Sequence, residues 1–169
     1  MRPWLAGLPF ALLASVASVA ACADGEMRFS LAAPKPGYGT GEPIVLTWTL
    51  FNGTGRPWTV LSGEQDCDAV IVQLDTADGR TLRRFQLSVP RTAARPEFTQ
   101  LAPGESLVRS FDLTNFAEIN RVRLGPGAYA VKASYGFASY GYTPEGGQAP
   151  MWPGTAAAPP LRLTIGPRP

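Results

Sequence analysis

The stretch from residue 41 to residue 52 constrains the fold of this chain more than any other part of the sequence. Apolar side chains recur there with a period of two, and most residues are β-branched or aromatic, which suits a pleated strand and disfavours a helix. Turn-forming residues bound the stretch, with Pro43 near its start and Gly53 directly behind it. The pattern predicts the central strand of a β-sandwich. The residues predicted to face the core are Ile44, Leu46, Trp48 and Leu50.

Short apolar or alternating segments recur along the rest of the chain. Turns separate them, in keeping with 18 glycines and 17 prolines among 169 residues. The pattern predicts an all-β fold, an Ig-like antiparallel β-sandwich of seven or eight strands after a cleaved signal peptide. Besides the central strand, the segments are residues 27–33, 56–61, 69–74, 81–87, 107–113, 125–135 and 161–165.

Turn chemistry between these segments predicts two hairpins. Residues 56–61 are expected to return beside the central strand. Residues 81–87 are expected to return beside residues 69–74, and their arginines suit an edge strand, where charge discourages pairing between sheets.

Two local features lie between the strands. Residues 114–123 predict one helical turn, with Thr114 or Asn115 as its cap. Tyr129 follows a glycine turn at the head of a late strand and resembles the tyrosine corner of Ig-type sandwiches, whose hydroxyl ties down an adjacent loop. Residues 34–41 are expected to form a turn only.

Residues 1–21 resemble an export signal. Arg2 and the amino terminus make the start positive, and an uncharged run of signal-peptide length follows before a group of small residues. Residues 19–22, Val-Ala-Ala-Cys, resemble the lipobox of bacterial lipoproteins. The resemblance implies cleavage before Cys22 and diacylation of that cysteine. Residues 22–26 would then be a tether, and residues 27–169 the sandwich.

Lipidation of Cys22 would tether the protein to a membrane of the cell envelope. Ala23, rather than aspartate, follows the cysteine, which by resemblance favours the outer membrane facing the periplasm. The alternative is a periplasmic or secreted protein without lipid. Acylation would leave Cys67 unpaired, whereas a retained Cys22 thiol could form a disulfide with Cys67. The neighbouring carboxylates of Asp66 and Asp68 disfavour a thiolate, and with it a nucleophilic role.

Three pieces of sequence, taken together, are similar to a known family: residues 41–52, 101–113 and 126–131. They resemble the Ig-like β-sandwich that lies N-terminal to the catalytic domain in some bacterial deuterolysin-like and lysine-specific metalloendopeptidases. They resemble more loosely the sandwich of BsuPI-type intracellular proteinase inhibitors. The resemblance covers residues 28–137 and implies a fold rather than an activity. No catalytic residue of those peptidases has a counterpart here, so the resemblance implies a stand-alone accessory sandwich.

The absence of histidine narrows the functions that the chain can have. It removes Ser-His-Asp and Cys-His triads, the zincin helix and most catalytic zinc sites. The net charge of +2 is small and its cations are scattered, so no nucleic-acid partner is expected. We predict a non-catalytic binding module without cofactor or metal. A second hypothesis is an inhibitor of the BsuPI type, with residues 89–100 or 135–152 entering a protease cleft.

Carboxylates are the candidates for the remaining catalytic alternative, a hydrolase that uses acidic residues alone. Glu64, Asp66 and Asp68 form a cluster with the donor type that calcium prefers, but it lacks the ligand spacing of an EF-hand and is interpreted as a solvated turn. Four further carboxylates occur in turn-rich places with no motif around them: Glu97, Glu105, Asp112 and Glu118.

Residues 135–152 are the predicted binding segment. The segment is longer than a hairpin loop of about 2–5 residues and is dense in aromatics, glycine and proline. Aromatic faces stack on sugars or anchor protein contacts, so Tyr140, Tyr142 and Trp152 are the candidate residues for a protein or carbohydrate ligand. In the alternative interpretation, Phe137, Tyr140 and Trp152 fold back and fill one end of the sandwich.

Replacing Tyr140, Tyr142 and Trp152 together by alanine separates these two interpretations. If the side chains form a binding surface, partner binding is lost while the melting midpoint stays nearly unchanged. Thermal unfolding followed by circular dichroism measures the midpoint, and a large drop would show that the side chains belong to the core.

Overall fold

The computed structural model describes residues 25–62, 66–88, 97–136 and 149–167, without the side chains of residues 66–68 and 88. The described residues form eleven strands and one short helix, and no helix in these ranges is both long and apolar enough to cross a membrane. The elements are β1 (Met27–Ala32), β2 (Gly37–Gly39), β3 (Val45–Asn52), β4 (Trp58–Leu61), β5 (Asp66–Thr76), β6 (Thr81–Ser88), β7 (Phe98–Leu101), β8 (Ser106–Asp112), α1 (Leu113–Ile119), β9 (Gly127–Gly136), β10 (Thr155–Ala157) and β11 (Leu161–Gly166).

The strands form two main sheets. One has the order β1-β3-β8, and the other has the order β2-β11-β9-β5-β6, with β10 beside β9. The pairs between these strands are antiparallel except that of β2 with β11, while β4 and β7 pair with each other as a separate ribbon. In an Ig domain, strands A, B and E share one sheet and strands C, C′, F and G the other. Here β1, β3 and β8 correspond to the first set and β5, β6, β9 and β11 to the second, so the fold is an Ig-like β-sandwich.

The central strand is confirmed. β3 lies between β1 and β8, and its inward residues are almost completely buried: Leu46 and Leu50 are 0% exposed and Trp48 is 2% exposed. Val45, on the opposite face, is 44% exposed. The strict alternation therefore follows from a sheet with one buried and one solvent-facing side.

The predicted hairpin between the central strand and residues 56–61 is wrong. Both edges of β3 are occupied, so β4 pairs with β7 instead. Asn52, fully buried at the end of β3, directs the chain out of the sheet. Its side-chain amide donates hydrogen bonds to the carbonyls of Arg56 and Leu101, both at 2.9 Å.

The hairpin of β5 and β6 is confirmed, with β6 at the edge of its sheet. All eight predicted strands are present, together with three short ones, β2, β7 and β10, that were not predicted. The helix begins earlier than predicted, because Asp112 rather than Thr114 or Asn115 is its N-cap. The Asp112 carboxylate accepts the N–H groups of Thr114 and Asn115 at 2.8 and 3.3 Å.

Aromatic rings join the two sheets at the centre of the core. Phe29 from β1 and Trp48 from β3 lie 6.3 and 6.2 Å from the ring of Tyr135 in β9, measured between ring centroids. The Tyr135 hydroxyl donates to the carbonyl of Leu61 at 3.0 Å, which satisfies its polar end inside the core. In antibody domains a disulfide joins the equivalent strands B and F. Here the aromatic contact occupies that position.

Replacing Trp48 by alanine should lower the free energy of unfolding by about 3–5 kcal/mol, because the substitution leaves a large cavity between the sheets. Val45→Ala on the same strand is the matched control and should change it by about 0.5 kcal/mol or less, since Val45 faces solvent. Urea unfolding followed by tryptophan fluorescence and circular dichroism measures both. Equal losses would contradict the assignment of the two faces.

Candidate functional site

Of the residues predicted to act in binding or attachment, only Trp152 lies in the described part of the chain. Its ring is half-buried and stacks on Tyr135 with centroids 5.9 Å apart. Its backbone N–H donates to the carbonyl of Thr59 at 3.0 Å. Trp152 therefore packs against the core beside β4. Cys22, Tyr140 and Tyr142 lie outside the described residues, and the binding role of the three aromatic residues stays a prediction.

The four carboxylates without a motif do not come together as a group. Asp112 caps α1, and Glu105 accepts the backbone N–H of Ala102 at 2.8 Å. Glu97 and Glu118 are exposed. Among the described side chains, no three potential ligands are close enough together to hold a metal ion. The side chains of Glu64, Asp66 and Asp68 lie outside that part.

A groove of about 570 Å³ opens at one end of the sandwich, and no pattern in the sequence predicts it. One wall is the segment before β3, and the other is α1 with the chain that follows it. Charged side chains lie at its rim and apolar side chains beneath them. The apolar lining residues are Ile44, Ala117, Val122, Leu124 and Ile165, and the charged ones are Glu42, Glu118, Arg121 and Arg123.

The first wall is a tight turn fastened to the last strand. The N–H of Glu42 donates to the carbonyl of Gly39 at 3.0 Å, and Gly41 between them has a φ of 82°, as the third residue of a type II turn requires. Thr40 donates to the carbonyl of Gly166 twice, from its N–H at 3.1 Å and from its hydroxyl at 2.7 Å. These bonds fix the turn relative to β11.

The Glu42 carboxylate is already engaged in this wall. It accepts a hydrogen bond from the Lys35 ammonium group and another, at 2.8 Å, from the N–H of Gly39. In that order of importance, these two bonds hold the pKa of Glu42 below its ordinary value. Glu42 is therefore an ionised structural group rather than a free acid in the groove.

The second wall is fastened to the start of β3. The N–H of Leu113 donates to the carbonyl of Ile44 at 2.8 Å, and the N–H of Ile44 donates to the hydroxyl of Thr114 at 3.0 Å. This exchange joins the first turn of α1 to the central strand. The Thr114 hydroxyl is therefore engaged in a hydrogen bond that holds the wall.

Arg121 has an unusual backbone conformation where α1 ends. The N–H groups of Arg121 and Val122 donate to the carbonyls of Glu118 and Ala117 at 2.9 and 2.8 Å, which is the hydrogen-bond pattern of a Schellman motif. That motif places one residue in the left-handed region, most often glycine. Arg121, with a φ of 60°, is the only non-glycine residue with a positive φ in the described ranges.

The tyrosine corner predicted at Tyr129 is confirmed, and it holds the last residue of the second wall. The Tyr129 hydroxyl donates to the carbonyl of Gly125 at 2.8 Å, four residues upstream. Gly125 is the last residue of the second wall that lines the groove. The bond that secures the corner in an Ig domain thus also positions this groove.

Three charged side chains of the groove are unpaired. Within the described residues, Glu118, Arg121 and Arg123 form neither an ion pair nor a side-chain hydrogen bond. A guanidinium group binds a carboxylate through two parallel hydrogen bonds, so the two arginines are suited to hold an acidic group above the apolar lining. The two arginines therefore offer charge-assisted hydrogen bonds at this groove.

Comparison with known proteins adds a likeness of fold. No protein-family model matches the chain, and no curated protein matches it. The crystal structure of the CARDB domain of the PF1109 protein from Pyrococcus furiosus, in complex with di-metal ions, has 10% identity and a TM-score of 0.42, covering 85% of this chain and 94% of that chain. A solution structure of the same domain has 12% identity and a TM-score of 0.39, covering 85% of this chain and 98% of that chain.

The C-terminal domain of wzt is similar to the same degree. It has 14% identity and a TM-score of 0.42, covering 84% of this chain and 74% of that chain. At these values the likeness bears on no ligand, metal or activity. The specific resemblance to metalloendopeptidase accessory domains and BsuPI-type inhibitors stays a prediction.

Replacing Arg121 by glycine should raise the free energy of unfolding by about 1 kcal/mol, because glycine adopts the left-handed conformation without the steric cost of a Cβ atom. Arg123→Gly is the control: Arg123 has no positive φ, so the same change should lower stability through backbone entropy. Thermal unfolding of both variants measures the difference. A stability loss in Arg121→Gly would contradict the assigned helix end.

Proposed function

We propose that this protein is a non-catalytic interaction module of the cell envelope, attached to a membrane through a lipid on Cys22. The groove between α1 and the turn before β3 is its binding site. The single observation that carries the proposal is the polarity of the sandwich, by which we mean that its two ends differ. Gly25, the first described residue, lies at one end, and the groove opens at the other.

Contacts of β3 define the two ends. At its end, Asn52 pairs with Met27, the first residue of β1, and the N–H of Gly25 donates to the carbonyl of Gly53 at 3.1 Å. At its start, Ile44 lines the groove. β3 has eight residues, and a strand rises about 3.3 Å per residue, so the two ends lie about 26 Å apart.

This polarity suits a tethered receptor. Cys22 precedes Gly25 by three positions, so a lipid there would hold the Gly53 end near the membrane. The groove would then face away from the bilayer, where a partner can reach it. One acyl chain binds a membrane only marginally, whereas two or more bind it stably, so diacylation would give durable attachment. An unlipidated, secreted form would keep the same binding site without the fixed orientation.

The site chemistry supports binding rather than catalysis. Asp112, Glu105 and Glu42 each accept hydrogen bonds from nearby backbone N–H groups, and Glu42 also binds Lys35. What remains available among the described residues of the groove is a pair of guanidinium groups and the Glu118 carboxylate, together with an apolar lining. Such a surface recognises a partner by charge and shape, with no bond broken or formed.

Replacing Cys22 by serine in the full chain tests the attachment. The unchanged protein should incorporate labelled palmitate and sediment with membranes, and the variant should do neither, because the thiol that accepts the lipid is gone. Cys67→Ser is the matched control and should retain both properties. Membrane association that survives Cys22→Ser, or a wild-type protein with no label, would overturn the lipoprotein assignment.

A further inference from the structure

We infer that the groove binds an extended segment of a partner protein in which an acidic side chain lies two residues from an apolar one, so that both project from the same side of the segment. The inference rests on the proposed interaction function and deepens it by naming the chemistry of the partner. It does not depend on whether Cys22 carries a lipid.

Charge complementarity selects an acidic partner. Within the part of the chain that the structure describes, the guanidinium groups of Arg121 and Arg123 line the groove without a partner, whereas the Glu42 carboxylate is neutralised by Lys35 and held by the N–H of Gly39. Glu118 is the one unpaired anion that lines the groove in the described part of the chain. Two free guanidinium groups against one free carboxylate leave the groove one positive charge in excess. A carboxylate of the partner would balance that charge and receive the paired hydrogen bonds that guanidinium groups form.

The lining beneath the arginines selects an apolar side chain next to that carboxylate. Ile44 and Ile165 come from the ends of the two sheets, and Ala117, Val122 and Leu124 come from the second wall. Ile44, Ala117 and Ile165 are buried, and the other two are partly exposed. Covering the exposed parts of Val122 and Leu124 with an aliphatic side chain removes apolar surface from water on both partners.

The polar groups of the groove favour a peptide over a small metabolite. A small-molecule site orients its ligand with several convergent polar groups. Here the hydroxyls of Thr40 and Thr114 are bonded to backbone atoms of the walls, and the Glu42 carboxylate is engaged as well. Only the charged rim is left to direct a ligand, and side-chain recognition along an extended segment needs no more than that.

The backbone of Arg121 gives an independent reason to assign it a binding role. Glycine would fill its left-handed position at lower cost, yet the chain has an arginine there whose guanidinium has no partner among the described residues. An uncommon backbone conformation at a ligand-facing side chain is typical of functional sites. The walls on either side are fixed by hydrogen bonds, so the arginine is presented on a rigid frame.

The experiment uses the exported, processed protein and a fluorescein-labelled, end-capped peptide in which leucine and glutamate alternate at the odd positions and serine occupies every even position. Fluorescence anisotropy measures its dissociation constant beside that of a peptide with glutamine in place of glutamate. The acidic peptide should bind, and the neutral peptide should bind about ten- to hundredfold more weakly, since hydrogen bonds between charged groups are lost. Equal binding of the two peptides, or binding of neither, would overturn the inference.

Three variants locate the site. Arg121→Gly and Arg123→Gln should each weaken binding of the acidic peptide about tenfold or more. Arg121→Gly is expected to be the more stable protein, so its loss of binding cannot be attributed to unfolding. Arg84→Gln removes an exposed cation from the edge strand β6 and should leave binding unchanged. Equal losses in all three variants would mean non-specific attraction and would overturn the site.

Competition with free glutamate distinguishes a peptide from a small carboxylate. Displacement of the peptide by glutamate at the same concentration as unlabelled peptide would assign the groove to a small ligand and overturn the inference. Membrane attachment is measured separately on the same preparations. A protein that is attached but does not bind the peptide therefore refutes the partner chemistry alone and leaves the envelope function standing.

Discussion

The contact between Trp48 and Tyr135 is the interaction on which the rest of the structure depends. The two rings lie 6.2 Å apart and come from opposite sheets, and both residues are at most 2% exposed. Phe29 lies 5.9 Å from Trp48, so the contact extends to the edge strand β1. Because each ring projects from an alternating strand, the pairing sets which face of each sheet is buried. Along these two strands, the alternation then decides which of the other residues face the core.

The core strands that carry these rings also position the groove. β3 carries Trp48 inward, and Ile44, the residue directly before this strand, bonds to Leu113 and Thr114 of α1. β9 carries Tyr135 inward and, at its other end, uses the Tyr129 hydroxyl to hold Gly125. The two strands that meet through their aromatic rings thus also support the second wall of the groove. Hydrogen bonds from strands of both sheets therefore hold this wall in place.

Much of the fold was predictable from sequence, because its strongest strands carry a local signal. The alternation around Trp48 and the glycine turn before Tyr129 each predict a local structure that depends only on residues close together in the sequence. The partner of β4 could not be predicted in this way, since it depends on both edges of β3 being occupied. β2 and β10 are three residues long, too short to display a period. The groove could not be predicted because its walls come from segments that are distant in the sequence. In addition, the left-handed position at the end of α1 is occupied by Arg121, so no glycine indicates it.

The hydrogen bond between Thr40 and Gly166 joins residues 126 positions apart, and this separation affects the order in which the protein folds. A wall built from such distant partners cannot form until the chain has emerged through Gly166, and contacts between remote residues are slow to form during folding. A chain that emerges from its amino end would thus close this wall only when its last core strand, β11, joins the sheet. The groove would then take its final shape only after both sheets are complete.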